Sequence, residues 1–414
     1  MNLHILHTAD WHLGQNFFGY DREEEHEAFL SWLIDTLTEQ QTDVLLISGD
    51  VFDVANPSAS AQRRFYQFLK EANLRNPGLQ VAVIAGNHDS AARLEVPNPL
   101  LEVLGVTITG LVRRTDEGEI DYASLLIPLT DRSGKRQAWC MAVPFLRQGD
   151  YPPSEEEHDT YVAGIRRMYQ SLYAFASKQR QTGEAILATG HLHASGAELS
   201  DDDRSERIIM GGLESVSADT FDPGIAYTAL GHIHKAQRVG GREAVRYAGS
   251  PLPMSFSEKN YCHQVVAIEL AGEQVVRIDS IPIPRTVELL RLPSQPACPE
   301  QVMEALTALP EAVEGDNTPK PYLEVRVLLT EPDPGFRHRV EEVLATKAVR
   351  LTSIQPSYPK RSEGEQEGRP LSYTDLQKID PLDMLRHTFA VRYAGELPED
   401  LEQLFKEVMR EVAL

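Results

Sequence analysis

Four short motifs set histidine and carboxylate side chains at spacings that suit metal ions: Asp10-x-His12, Gly49-Asp50-x-x-Asp53, Gly86-Asn87-His88-Asp89 and Gly231-His232-x-His234. Gly190-His191 makes a fifth. Carboxylate, imidazole and amide oxygen are donors of intermediate hardness that favour Mn²⁺, Fe²⁺ or Zn²⁺ over Ca²⁺. The lack of thiolates speaks against a structural zinc site. Alternate residues of an extended segment share a face, so Asp10 with His12, and His232 with His234, can aim at one place. If two ions sit about 3.5–4 Å apart, one carboxylate must bridge them, and Asp50 is the natural bridge. Such a pair neutralises a bound phosphate and lowers the pKa of a water towards ~7, which makes hydroxide available for in-line attack on phosphorus. Seven ligands are then expected: Asp10, His12, Asp50, Asn87, His191, His232 and His234. His88 is left to contact phosphoryl oxygens or to protonate the leaving group, with Asp89 or Asp53 orienting it. In Gly190-His191-Leu192-His193, which mimics Gly231-His232-Ile233-His234, His193 is read as lining the cleft, with ligation the alternative. His4, His7, His26 and His263 match no motif and are read as structural or surface histidines.

Elements must bring these distant segments together. Leu3–Thr8 reads as a strand ending at Asp10, Asp43–Ser48 as one ending at Gly49-Asp50, and Leu79–Ala85 as one ending at Gly86-Asn87. Further strands are expected at 123–128, 138–143, 184–189, 226–230, 244–248 and 263–270. Residues 24–41 carry Leu30, Leu33, Ile34 and Leu37 at helical spacing, and Asn56-Pro57 reads as an N-cap with Pro at the first helical position. Strand C-termini are where α/β sheets place ligand sites, so the five segments can converge on one edge. Glycine before Asp50, Asn87, His191 and His232 permits close backbone approach. Each motif alone is an ordinary turn; together, in this order and after strands, they point to a metal centre. The expected fold is an α/β sandwich of mixed sheets over residues 1–284.

The pattern changes near Pro282 and Pro284. Helices at 299–309 and 335–347, with strands at Tyr322–Leu329 and Val349–Ile354, make a small α+β domain over 285–359. Residues 360–370 lack large apolar side chains and read as a polar linker. In 371–414, Ser372-Tyr-Thr-Asp375 resembles a capping box. Leu401, Leu404, Phe405, Val408, Met409 and Val412 then form an apolar stripe that either folds back or docks a partner.

The chain has 414 residues, too many for one compact core, and is 42% hydrophobic. No apolar run is long enough to cross a membrane, and the N-terminus lacks the marks of a secretory signal. Three scattered cysteines fit a reducing cytoplasm rather than a disulfide framework. A net charge of −22 speaks against a broadly basic nucleic-acid-binding face, although bound divalent cations invert the local field. Gly134-Lys135 lacks the upstream glycine and the hydroxyl residue of a P-loop, so no ATP site is expected.

At the five motifs the sequence resembles the calcineurin-like metallophosphoesterases. Within them it closely resembles the SbcD family, the nuclease subunits of bacterial SbcCD complexes, through ADWHLGQNF, GDVFD, AGNHDS, ATGHL, ALGHIHKAQ and RYAGSPLPMSF. The resemblance covers the phosphoesterase part and, in layout, the region beyond. It implies a four-layer α/β/β/α sandwich with a capping domain and C-terminal helices. Asp10, His12, Asp50 and His234 would hold one ion, and Asp50, Asn87, His191 and His232 the other, with His88 as the catalytic histidine that is not a ligand. It further implies two Mn²⁺ (Mg²⁺, Fe²⁺ or Zn²⁺ being possible), a double-strand 3′–5′ exonuclease and single-strand or hairpin endonuclease activity on DNA, and a role in DNA end processing, repair and recombination. The C-terminal helices would dock an SbcC-type coiled-coil ATPase, with a homodimer inside a heterotetramer. Two other readings are weighed. A phosphatase or phosphodiesterase on a non-DNA substrate would share the metals, but protein phosphatases of this superfamily have Arg-Gly after the second motif and Glu ending the third, where this chain has Val54-Ala55 and Asp89. A scaffold that had lost catalysis would have lost ligands, and all eight residues are present.

Overall fold

The computed structural model describes residues 2–153, 161–198, 215–313, 315, 318–358, 381–393 and 397–412. The chain divides into two compact units, Met1–Thr286 and Val287–Leu414.

The large unit is built on two six-stranded sheets. The first contains β1 (Leu3–Thr8), β4 (Val44–Ser48), β5 (Gln80–Ile84), β6 (Val106–Thr109), β13 (Gln264–Ala271) and β14 (Gln274–Pro282). Their order is β14-β13-β1-β4-β5-β6. The β1, β4, β5 and β6 ladders are parallel, and β13 and β14 close one edge antiparallel. The second sheet contains β7 (Leu126–Thr130), β8 (Arg136–Ala142), β9 (Ala185–His191), β10 (Tyr227–Gly231), β11 (Gln237–Val239) and β12 (Arg242–Tyr247). Its order is β11-β12-β10-β9-β8-β7, parallel at the centre and antiparallel at both edges. A short hairpin, β2 (Asn16–Phe17) with β3 (Tyr20–Asp21), follows the first motif.

The layers follow from side-chain alternation along each strand. Leu3, Ile5, Val44, Leu46, Ala82 and Ile84 face the second sheet and pack on Leu129, Cys140, Leu187, Tyr227 and Ala229. Leu6, Leu45, Ile47, Val81 and Val83 face the other way, onto α1 (Glu23–Glu39) and α2 (Ala59–Arg75) through Phe29, Leu33, Leu37, Phe65 and Leu69. The outer face of the second sheet is covered by α5 (Tyr161–Gln179) through Ile165, Met168, Tyr169, Leu172 and Ala176. Two short helices, α3 (Ala91–Glu95) and α4 (Asn98–Leu101), lie between β5 and β6. The result is an α/β/β/α sandwich. Its strands read as continuous apolar runs because both faces of each central strand are buried.

Some local expectations differ from the fold. The α2 N-cap is Ser58, whose hydroxyl accepts the Ala61 N–H, rather than Asn56. Residues 123–125, expected to begin the strand 123–128, belong to a 3₁₀ turn (Tyr122–Leu125) capped by Asp121, and β7 starts only at Leu126. Helix α5 and strands β6 and β14 were not anticipated.

His7 and His26 are buried, His7 beside the Tyr227 hydroxyl at 3.0 Å. Burial pushes both imidazoles down to about 3, helped at His26 by Arg22 and Arg64. Below pH 6.5 the unfolded chain therefore takes up protons that the folded chain refuses, and stability present above 6.5 is lost as pH falls towards 3. Each group contributes about 1.4 kcal/mol per pH unit in that window. His26→Gln is expected to flatten the pH dependence of the urea-unfolding free energy between pH 6 and 4.5 by that amount. An unchanged slope would show that the ring is charged when folded.

In the small unit, β15 (Leu289–Ala297), β16 (Tyr322–Leu328) and β17 (Arg350–Ser357) form a parallel sheet. It packs on α6 (Pro299–Thr307) and α7 (Phe336–Leu344) through Val302, Leu306, Val325, Phe336 and Val340. Lys347 is buried and donates to the Thr307 and Leu309 carbonyls and to Glu311, which closes the α6 C-terminus. Helices α8 (Pro381–Tyr393) and α9 (Glu399–Val412) follow, joined by the ion pair of Arg386 with Glu402. The linker at 360–370 and the capping-box motif at 372–375 lie outside the described residues.

Candidate metal centre

The central parallel strands deliver their C-terminal ends to one place. Asp10 and His12 follow β1, Asp50 follows β4, Asn87 and His88 follow β5, His191 ends β9, and His232 and His234 follow β10. The loops are laced to one another. Asp10 N–H donates to the Gly49 carbonyl (3.1 Å) and His12 N–H to the Asp50 carbonyl (3.0 Å). His232 N–H donates to Asp10 Oδ1 and His88 N–H to Asp50 Oδ1. The Ser48 hydroxyl donates to the Ala229 carbonyl and so ties β4 to β10.

This convergence strains the backbone. Asp10, His12, Asp50 and His232 all have positive φ, between 46° and 100°, where side-chain-bearing residues are rare. Each costs about 1–3 kcal/mol and persists because the surrounding hydrogen bonds hold it. Gly86 is needed for a different reason: a Cβ there would fall inside the Asp50 carboxylate.

Among the described residues, three groups each bring their donor atoms within 4.8 Å of one another: Asp10, His12 and His234; His12, Asp50 and His88; Asp10, Asp50 and His191. Asn87 Oδ1 is 2.9 Å from His191 Nε2 and 3.0 Å from His232 Nδ1. All eight sequence-predicted residues thus gather at one centre. Asp10, His12, Asp50, His191 and His234 are buried, whereas Asn87 and His88 are only half-buried, at its rim.

The atoms in this centre fit cations. Asp10 Oδ2 and His12 Nε2 are buried without a hydrogen-bond partner, a costly state unless they ligate something. His191 makes the same point. Its Nδ1 lies 2.9 Å from the Ser48 carbonyl, which only accepts, so Nδ1 carries a proton. Its Nε2 then faces Asp50 Oδ2 at 3.1 Å, lone pair against lone pair, unless positive charge sits between them. A proton is one answer: burial works to lower the His191 pKa, but Asp50 overrides it and pushes the ring up to about 9. A divalent cation is the other, and requires no proton. Burial would raise Asp50 too, but His191 and His12 hold it ionised, well below the ordinary range. Asp10 is raised, chiefly by burial.

The supporting residues are arranged differently from expectation. The Asp89 carboxylate does not reach His88. It accepts the N–H groups of Val51, Phe52 and Gly86 and so locks the second and third loops together. Burial, with the Asp50 charge beside it, pushes Asp89 up to about 6. Asp53 meets His88 through its backbone carbonyl, 2.8 Å from Nδ1, while its carboxylate lies 3.3 Å from His12 Nδ1. His193 is buried and belongs to none of the three clusters. His263, buried, faces the Ser250 carbonyl, and His4 is partly exposed on β1.

Glu258 was not anticipated. Its Oε1 lies 3.2 Å from His234 Nδ1 and its Oε2 accepts the Met254 N–H. Although buried, Glu258 is held below the usual carboxylate range by His234. The carboxylate fixes the tautomer that turns the His234 Nε2 lone pair towards the centre, as such partners do in metal sites. No sequence spacing advertised it, because the link is made by the fold. Glu258→Gln is expected to weaken metal binding about 10–100-fold. A Mn²⁺ titration checks this, and an unchanged affinity would reduce Glu258 to a packing role.

Two mixed sheets packed back to back, with nitrogen and oxygen donors gathered at their parallel strand ends, define a metal-dependent phosphoesterase. Comparison with known proteins agrees: residues 3–236 match the calcineurin-like phosphoesterase family profile, and residues 285–393 match that of the type 5 capsule protein repressor C-terminal domain. The chain is 39% identical over 367 residues to the SbcD subunit of the SbcCD nuclease of Rhodobacter capsulatus, covering 86% of this chain and 88% of that one. It is 32% identical to the corresponding SbcCD nuclease subunit of Escherichia coli K12, over 91% of each. The chain belongs to the SbcD family of calcineurin-like phosphoesterases.

Proposed function

We propose that this protein is a DNA nuclease that hydrolyses phosphodiester bonds with two Mn²⁺ ions, as a double-strand 3′–5′ exonuclease and a single-strand or hairpin endonuclease. The observation that carries this reading is the gathering of Asp10, His12, Asp50, His191 and His234 at one place, where Asp10 Oδ2 and His12 Nε2 lack hydrogen-bond partners, with half-buried His88 at the rim. The relatives are named nucleases, which supplies the substrate class. Asp10, His12, Asp50 and His234 would hold one ion and Asp50, Asn87, His191 and His232 the other. The metals would supply charge neutralisation at phosphate and a water of lowered pKa. The chain's own residues do the rest. Glu258 and the Ser48 carbonyl fix the tautomers of His234 and His191, and the Asp53 carbonyl holds His88 Nδ1, so that Nε2 would serve the leaving oxygen. His193 lines the cleft in this reading. Mn²⁺-dependent cleavage of end-labelled duplex and hairpin DNA, abolished by EDTA, tests it. Cleavage of simple diesters without cleavage of DNA, even with the ATPase partner present, would move the reading to a non-DNA substrate.

The assembly is proposed on the same footing. Residues 285–359 would cap the DNA. Leu401, Leu404, Val408 and Met409 of α9 are exposed, a stripe suited to a coiled-coil ATPase of the SbcC type. Val96, Leu100 and Val103, in the short turns and helices between β5 and β6, are also exposed apolar side chains; a homodimer within a heterotetramer is proposed. No helix of the described residues is long and apolar enough to cross a membrane; a cytoplasmic location is proposed. Deleting 371–414 is expected to spare hydrolysis of simple diesters and abolish co-purification with the ATPase. Retention of the partner by the truncated chain would defeat the docking assignment.

A further inference from the structure

We propose that Arg147 grips a phosphate of the substrate strand next to the one being cut; the inference rests on the nuclease reading above. With a net charge of −22, the chain has few cations to spare near its metal centre. Lys235, the residue after His234, is paired with Glu198, and Arg22 is buried against Glu25. Arg147 is different. Its guanidinium has no carboxylate partner among the described residues and lies over the Phe145 ring, 5.3 Å from the centroid. The nearby Asp150 is engaged elsewhere: its carboxylate accepts the Arg147 N–H at 2.8 Å, and its own N–H returns to the Arg147 carbonyl at 3.0 Å. This closed turn leaves the guanidinium to the ring and to solvent.

Phe145 ties that turn to the metal centre twice. Its N–H donates to the carbonyl of Ala85, the residue before Gly86-Asn87, at 2.8 Å. Its buried ring meets His191 edge to face, with centroids 6.2 Å apart. The guanidinium is therefore carried on the same ring that buttresses a candidate ligand, and it lies no further from His191 than those two separations taken together. Successive phosphates of one strand rise about 3.4 Å along a duplex axis, so a strand held at the centre brings a phosphate one or two nucleotides away within reach. The chemistry suits this role. A guanidinium is planar, permanently charged and weakly hydrated, presents a donor fork to phosphate oxygens, and is steadied by an aromatic face. It also answers how a strongly acidic protein can hold DNA: by a fixed cation beside the metals instead of a broad basic surface.

The test is DNA binding by the full chain with Mn²⁺ in a His88→Ala background, from 50 to 200 mM salt, with and without Arg147→Gln. Loss of one phosphate contact should weaken binding about tenfold and reduce the slope of log K against log salt by about one contact. Arg147→Lys should restore most of the slope while recovering only part of the affinity, because a point charge lacks the fork. With His88 intact, Arg147→Gln should raise KM on DNA more than it lowers kcat. An unchanged salt slope overturns the proposal. So does an equal loss on bis(p-nitrophenyl) phosphate, a diester without flanking phosphates, since the effect would then reach the metal centre through Phe145. If the parent chain neither binds nor cuts DNA, the nuclease reading fails and the Arg147 assignment falls with it.

Discussion

Asp50→Asn is expected to lower DNA hydrolysis by at least about 10³-fold and to cut bound metal to one ion per chain or fewer. Asp50 belongs to two of the three donor groups, with His12 and His88 in one and Asp10 and His191 in the other, so it touches candidate ligands of both ions. Its Oδ2 lies 3.1 Å from His191 Nε2 and 3.8 Å from His12 Nε2. Asparagine keeps an oxygen for the His88 N–H and nearly the same shape, so the loop should survive. What disappears is the charge, and with it several kcal/mol of cation stabilisation, each 1.4 kcal/mol being worth a factor of ten in rate. Metal content by mass spectrometry, kcat on a labelled duplex and a thermal melt separate the cases. Two ions per chain with the fold intact would show that Asp50 does not bridge.

His88→Ala is expected to keep metal and DNA binding and to lose about 10²–10⁴-fold in cleavage, the usual scale of general acid–base catalysis. The residue is half-buried, like its neighbour Asn87, whereas Asp10, His12, Asp50, His191 and His234 are buried, and its Nδ1 is held by the Asp53 carbonyl. Its ring nevertheless packs edge-on to His12 at 4.8 Å and falls in a donor cluster with His12 and Asp50. The two possible roles therefore make opposite predictions for metal content. Loss of an ion with the loss of activity would make His88 a ligand. A full metal complement with slow cleavage, slower still for poor leaving groups, would identify the proton donor.

How far the sequence reached is clearest at particular residues. The strands before Asp10, Asp50 and Asn87 were legible because both faces of each are buried, so each reads as an unbroken apolar run between turns. Helix α5 was missed although Ile165, Met168, Tyr169, Leu172 and Ala176 line one face. Tyr, Arg and Gly interleave with them, and Gly164 lowers helical propensity where Tyr151 packs against it. The N-cap is Ser58 rather than Asn56 because two near-equal cap residues compete two positions apart, and the Asn56 side-chain oxygen is taken by Arg93 while the Ser58 hydroxyl accepts the Ala61 N–H. The small parallel sheet was only partly visible, since β15 begins inside a proline-rich stretch that reads as a boundary.

The sequence by itself supplied the candidate donors and their chemistry: the types of Asp10, His12, Asp50, Asn87, His191, His232 and His234 and their place after strands. Ligand hardness and strand periodicity are local properties, written in neighbouring residues. The tertiary structure alone decided the supporting roles. Glu258 reaches His234 from a turn beyond β12, Asp89 clamps backbone instead of orienting His88, Asp53 serves His12 with its carboxylate and His88 with its carbonyl, and Arg147 is carried on the ring that packs against His191. These contacts join residues whose separation along the chain carries no periodic signal. They exist only because two sheets, each folded for its own apolar faces, bring the ends of their parallel strands to one edge.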